Sequence, residues 1–132
     1  MKFKMIKDDI RECKGLFFQH WRARYGGIKE ADFFVGAFLK DKLIACIAIR
    51  QYSYDVFHFG LTVVHPDHRR KGVCTELLNN TITILQEMGA RTIRNSKDNS
   101  TFPFEWFYDN GFKLIDTFKD GKRKVRVLEL IV

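Results

Sequence analysis

Val64-His65-Pro66-Asp67-His68-Arg69-Arg70-Lys71-Gly72-Val73-Cys74 joins an apolar, β-like run to a strongly amphipathic segment. A strand, a proline-marked turn, three consecutive cations and a glycine at a helix start form the layout of a phosphate cradle. The first N–H groups of a helix have no partner within it and carry a partial positive charge. Arg69, Arg70 and Lys71 add full charge beside them. The expected occupant is an anion, and a pyrophosphate suits such a helix start.

Downstream of Gly72, the residues Cys74, Leu77, Leu78, Thr81, Ile82, Leu85 and Met88 keep a 3.6-residue period, and Gly89 is placed to end that helix. Upstream, Val56 to Val64 reads as the strand that feeds the turn. Phe33 to Leu39 and Leu43 to Arg50 are apolar runs around Lys40-Asp41-Lys42, a hairpin pattern. At the N-terminus, Phe3 and Met5 mark a short strand. Asp8 or Asp9 is positioned to cap a helix whose stripe is Ile10, Cys13, Phe17 and Trp21. Arg24-Tyr25-Gly26-Gly27 breaks it.

Past the central helix, Arg91 to Asn95 reads as a strand and Phe104 to Tyr108 as a short aromatic helix ended by Asn110-Gly111. Phe112 to Phe118 and Val125 to Leu130 form a last hairpin around Asp120-Gly121. Hairpins combined with a strand-helix-strand crossover predict an α/β (mixed α+β) domain. Its sheet is mixed, mostly antiparallel, of about six or seven strands, flanked by helices. No repeat, linker or low-complexity tract divides residues 1–132, so one domain is expected.

The 132 residues suffice for one core and not comfortably for two. Hydrophobic residues make up 45% and charged residues 30%, a globular composition with thirteen Phe for the interior. No apolar run is long enough to span a bilayer. The alternating Met1-Lys2-Phe3-Lys4-Met5-Ile6-Lys7 lacks the apolar centre of an export signal. Cys13, Cys46 and Cys74 are odd in number and widely spaced, so neither a disulfide framework nor a zinc site is expected, and a reducing cytoplasm fits. The net charge of +7 attracts polyanions but lies within the ordinary range for a small domain.

Two motifs now carry a resemblance. Arg69-Arg70-Lys71-Gly72-Val73-Cys74, after Val64-His65-Pro66, resembles the Arg/Gln-x-x-Gly-x-Gly/Ala loop of the GNAT superfamily, the general-control-related N-acetyltransferases. Trp106-Phe107-Tyr108-Asp109-Asn110-Gly111-Phe112 is similar to that family's aromatic-Tyr-x-x-x-Gly-Phe signature. Together, in order, the two are far more specific than either alone. The resemblance implies a cleft where the fourth and fifth strands splay apart and acetyl-CoA enters as cosubstrate. It places the pantetheine arm along Leu61, Thr62, Val63 and Val64. It places the pyrophosphate on Arg69, Arg70, Lys71, Gly72, Val73, Cys74 and Thr75. It also implies a role for Asn99 beside the pantetheine arm, with a turn-capping Asn as the equal alternative.

The chain departs from the pattern twice. Cys74 replaces the last small Gly or Ala of the loop. Phe107 stands four residues before Gly111, where family members often carry the Tyr that protonates the departing thiolate. Tyr108 is the neighbouring candidate for that acid, although one helical step turns a side chain by about 100°.

His58 is the candidate general base. It lies six residues before Val64, the offset of the glutamate base in histone-type members. An ordinary imidazole accepts a proton near neutral pH. The alternative is a strand histidine between Phe57 and Phe59 with its nitrogens satisfied. Asp55, through a water, is a second candidate base, or a solvated strand-end carboxylate. His65, Asp67 and His68 could suggest a metal site, but three ligands in so short a turn rarely converge, so they are expected to face solvent, with one imidazole near a coenzyme phosphate as the alternative, and no metal is expected.

The resulting expectation is an acetyl-CoA-dependent N-acetyltransferase acting on an amine, small molecule or protein, as a monomer or homodimer. Two basic segments, with Arg22, Arg24 and Lys29 in one and Lys119 to Arg126 in the other, would favour an acidic or phosphorylated acceptor, or are simply solvated. A domain that binds coenzyme A or a partner without turnover is the alternative. Nucleic acid is disfavoured for want of a recognition motif.

Overall fold

A computed structural model describes residues 1–20, 30–98 and 104–132. The chain runs β1 (Lys2–Ile6), α1 (Arg11–His20), β2 (Phe33–Leu39), β3 (Lys42–Gln51), β4 (Val56–Val64), a 3-10 turn (Pro66–His68), α2 (Val73–Glu87), β5 (Thr92–Asp98), α3 (Phe104–Asp109), β6 (Lys113–Asp120) and β7 (Arg123–Ile131).

Local chemistry explains several boundaries. Asp9 accepts hydrogen bonds from the Arg11 backbone N–H (3.4 Å) and Nε (3.2 Å) at the start of α1. The Arg11 side chain holds the Asp9 carboxyl below its ordinary pKa. Lys40 and Asp41 both take positive φ, 50° and 65°, in the two-residue connection between β2 and β3. That conformation matches the twist of a tight hairpin. In α2 the buried Thr81 donates its hydroxyl to the Leu77 carbonyl at 2.6 Å, so its burial leaves no polar group unsatisfied.

The seven strands form one sheet in the order β1-β2-β3-β4-β5-β7-β6. Every pair is antiparallel except β4–β5. A parallel pair needs a crossover, and α2 supplies it. On one face Val73, Leu77, Leu78 and Leu85 of α2, with Phe107 of α3, pack on Val35, Ile47, Phe57, Phe59 and Leu128. On the other, Cys13, Leu16 and Phe17 of α1 pack on Phe34, Cys46, Ala48 and Val63. Buried and hydrogen-bonded to Cys13, the Cys46 thiol is pushed far above the ordinary thiol range and stays protonated.

One irregularity bears on the site. Ile47 pairs with Thr62, but Ile49 pairs with Phe59, so Gly60 and Leu61 both stand opposite Ala48. This is a β-bulge in β4, and it switches the strand's facing. Phe57 and Phe59 point to the α2 face, whereas Leu61 and Val63 point to the α1 face. Gly60 is required there: a Cβ would sit 2.8 Å from the Ala48 carbonyl oxygen.

Within the described residues the sequence-based elements hold with small shifts at their ends, while Trp21 and the Arg24-Tyr25-Gly26-Gly27 break lie outside them. β5 continues to Asp98, not Asn95, because Ser96, Lys97 and Asp98 pair with Val127, Arg126 and Val125 of β7. The expected last hairpin forms, but β7 lies inside and β6 at the edge, exposed along its whole length. Among the described residues no helix is long and apolar enough to cross a membrane.

Candidate active site

β4 and β5 pair only from Val56–Thr92 to Phe59–Asn95. Beyond that rung β5 follows β7, while Thr62, Val63 and Val64 stay with β3. The two parallel strands therefore splay, as the family pattern implies. On its β5 side the second half of β4 has no strand partner among the described residues. The bulge at Gly60 sits at the apex of this V and leaves the extra residue's backbone out of the ladder.

Asn95 marks the same apex. It is 1% exposed, and its Nδ2 donates to the Phe59 carbonyl at 3.3 Å across the last rung. Its Oδ1 is buried without a hydrogen-bond partner among the described residues. An orphaned buried acceptor is costly, so a ligand donor arriving in the V would relieve it.

A cavity of about 190 Å³ opens beside the apex on the α1 face. Gly60 and Leu61 form part of its wall, and Arg50, Tyr52, His58 and Ser96 supply its chemistry. His58 is half-buried, with Nε2 3.4 Å from the Ser96 hydroxyl and its ring 5.7 Å from the Tyr52 ring. The Arg50 guanidinium lies 5.4 Å from the centre of the Tyr52 ring and donates to a Glu30 carboxylate oxygen at 2.8 Å. His58 thus lies in the cavity, as a base would have to.

At the other end of β4 stands the cationic turn, the candidate cradle. The His65 Nδ1 accepts from the Asp67 N–H at 3.1 Å and caps the 3-10 turn. The Arg69 Nε donates to the Val64 carbonyl at 2.9 Å, tying the cradle to the strand end. Arg70 and Gly72 take positive φ, 61° and 77°. The first bond of α2 runs from the Glu76 N–H to the Gly72 carbonyl at 3.1 Å. The N–H groups of Val73, Cys74 and Thr75 therefore precede the intrahelical ladder. Arg69, Arg70, Lys71 and Gly72 are exposed, and Cys74 is half-buried against the core. Cradle and cavity are thus two ends of one strand, with Leu61, Thr62, Val63 and Val64 between them.

The second motif is arranged differently. Phe107 is 1% exposed, packed edge-on against Trp106 and Phe112 at 5.0 Å each. Tyr108 is 41% exposed and is not among the residues lining the His58 cavity. The helical step anticipated from sequence turns it outward, so the structure does not bring His58 and Tyr108 together. Asp55 receives the Ser53 hydroxyl at 3.1 Å and does not line the cavity either. The His65 and His68 rings meet edge-on at 5.9 Å, and no metal-holding cluster occurs among the described residues. Asn99 and the loop bearing Arg22, Arg24 and Lys29 lie outside the described residues.

The profile of the acetyltransferase (GNAT) family matches residues 3–112. This chain belongs to the GNAT acetyltransferase family. No curated protein matches it significantly. Among solved structures it is similar to a GNAT acetyltransferase from Elizabethkingia anophelis with acetyl-CoA bound, at 11% identity, 99% and 97% coverage of the two chains, and a TM-score of 0.77. An aminoglycoside 6'-N-acetyltransferase complexed with coenzyme A aligns at 15% identity, 99% and 97% coverage, and a TM-score of 0.78. The ribosomal-protein-S18-alanine N-acetyltransferase from Escherichia coli aligns at 16% identity, 98% and 94% coverage, and a TM-score of 0.77. At such identities the likeness is one of fold, the splayed GNAT sheet.

Sequence reasoning missed Asn95, Ser96, Arg50, Tyr52 and Glu30. Each is an ordinary polar residue in a strand or turn, and only cross-strand register brings it to the GNAT cleft. A polar run inside β5, Asn95-Ser96-Lys97-Asp98, was the available signal.

Proposed function

We propose that this GNAT domain is an acetyl-CoA-dependent N-acetyltransferase that transfers the acetyl group directly from the thioester to an amine. The splay of β4 from β5, with the cradle at one end and the His58 cavity at the other, is the observation that carries this reading. The pyrophosphate would lie on the cradle and the pantetheine arm along Leu61 to Val64. Asn95 offers its orphaned Oδ1 to an amide N–H at the apex.

In this reading His58 takes a proton from the incoming ammonium, directly or through a water. The neutral nitrogen attacks the thioester carbonyl. A backbone N–H released by the Gly60–Leu61 bulge is suited to the developing oxyanion. Collapse breaks the C–S bond, the nitrogen's remaining extra proton passes to the thiolate directly or through a water, and coenzyme A leaves as the thiol. Holding the two reactants together supplies much of the acceleration.

The buried Phe107 favours one alternative, a domain that binds the coenzyme with little turnover. A thiol-release assay with acetyl-CoA and a panel of amines separates the two: the enzyme reading expects amine-dependent thiol release, the alternative only binding. Tyr108→Phe is expected to keep kcat within about twofold. A loss of about 10²-fold or more would instead make Tyr108 the acid. The three free cysteines, two of them fully buried, are compatible with a reducing, cytoplasmic location.

A further inference from the structure

We propose that the acceptor is a small amino acid whose carboxylate is held by Arg50, with its amine turned to His58. The inference rests on the acetyltransferase reading above and adds the acceptor's chemical class. A GNAT fold by itself does not specify that class.

The argument begins with register. On the α1 face Arg50 of β3, His58 of β4 and Arg94 of β5 stand side by side, since Arg50 pairs with His58 and His58 with Arg94. Two guanidinium groups therefore flank the candidate base, and they are held differently. Arg94 donates to Glu129 at 3.0 Å, its direct cross-strand partner, and the Glu129 side chain is 20% exposed. That pair is built into the sheet. Arg50 lines the cavity and donates at 2.8 Å to Glu30, whose side chain is 63% exposed. An ion pair so exposed holds its partners together only weakly. Glu30 can swing into water at little cost, and it then leaves a guanidinium facing the cavity. The Glu30 carboxylate on Arg50 marks where an acceptor's carboxylate would bind.

The guanidinium is also pre-placed. The Tyr52 ring lies between Arg50 and His58, 5.4 Å from the guanidinium carbon and 5.7 Å from the imidazole. Packing on an aromatic face restricts the guanidinium to few orientations. Its fork presents a carboxylate-matching edge at a fixed side of the base. A molecule with an amine and a carboxylate a few bonds apart bridges the two groups.

Cavity size agrees. About 190 Å³ holds an amino acid with a modest side chain. Ala31, Ala48 and Leu61 give that side chain an apolar wall. A simple monoamine would leave Arg50 on Glu30 and gain nothing from it. In a peptide N-terminus the first residue's carboxylate is consumed in the peptide bond and brings no charge to Arg50. The products are an N-acetyl amino acid and coenzyme A: the N–C bond forms, the C–S bond breaks, and one amine proton ends on the thiol.

The test compares the twenty common amino acids, and β-alanine, with their carboxamides and decarboxylated amines in the thiol-release assay. Amino acids are expected to exceed their uncharged counterparts by about 10- to 100-fold in kcat/KM, the value of one charge-assisted carboxylate–guanidinium contact. Arg50→Ala is expected to erase that ratio, chiefly by raising KM for the acids. Arg50→Lys keeps charge without the fork and falls between. Glu30→Gln is expected to lower KM for the acids. Equal turnover of acids and amides, or a ratio that survives Arg50→Ala, overturns the proposal. So does a panel with no turnover while acetyl-CoA still binds by calorimetry. Failure of acetyl-CoA to bind the unaltered protein removes the underlying reading as well.

Discussion

Gly72→Val abolishes measurable binding of acetyl-CoA, a loss of at least about 100-fold in affinity. Gly72 caps α2 at φ 77°, a left-handed conformation that costs an L-residue about 1–2 kcal/mol and a β-branched one more. The turn must rearrange, and with it the N–H groups of Val73, Cys74 and Thr75. Losing two charge-assisted hydrogen bonds, at about 1.5–3 kcal/mol each, already exceeds the 100-fold loss. A Cβ on Gly72 meets nothing within 4 Å, so the fold itself is not crowded. Thermal unfolding is therefore expected to shift by only a few degrees. Arg69→Glu by itself is also expected to weaken binding, since it breaks the 2.9 Å tie to Val64 and puts an anion against an anion. Calorimetric titration checks each variant. Gly72→Val binding like the unaltered protein would remove the cradle from the site.

His58→Ala lowers kcat/KM by about 10²–10⁴-fold at neutral pH and leaves acetyl-CoA affinity unchanged. The two effects separate because His58 lies in the cavity beside the apex of the V, whereas the cradle lies past the strand's far end. The pH dependence gives the signature. Below the acceptor's own pKa the amine is protonated and needs a base. As pH rises towards that pKa, more amine is neutral without help, and the gap between variant and unaltered enzyme narrows. His58→Gln, which keeps a polar partner for the Ser96 hydroxyl, is expected to lose nearly as much as His58→Ala. A loss under about threefold with an unchanged pH–rate profile would make His58 a structural strand residue.

The GNAT fold was legible in sequence because its elements carry strong local signals. The 3.6-residue stripe of α2, the Lys40-Asp41 hairpin and the glycine at position 72 each follow from nearest neighbours along the chain. The turn proposed as the cradle was legible for the same reason: its residues are consecutive. The cavity was not. Arg50, His58 and Ser96 come from three strands and meet only through register. The bulge at Gly60 that redirects β4 is set by the close approach of Ala48, which no sequence window contains. The strand order was hidden too: β6 and β7 read alike as strands, and only the structure puts β7 inside. Tyr108 shows the limit of a motif. The spacing was nearly right, but one residue of helix turns a side chain from the core to the solvent.

Backbone hydrogen exchange, with and without saturating acetyl-CoA, tests the central claim most directly, because it reports where the coenzyme lies. The account predicts added protection in two segments, residues 60–65 along the open side of β4 and residues 69–76 around the cradle. Exchange across β2, on the far side of β3, is predicted to stay unchanged. Saturation without added protection in either segment would contradict the account.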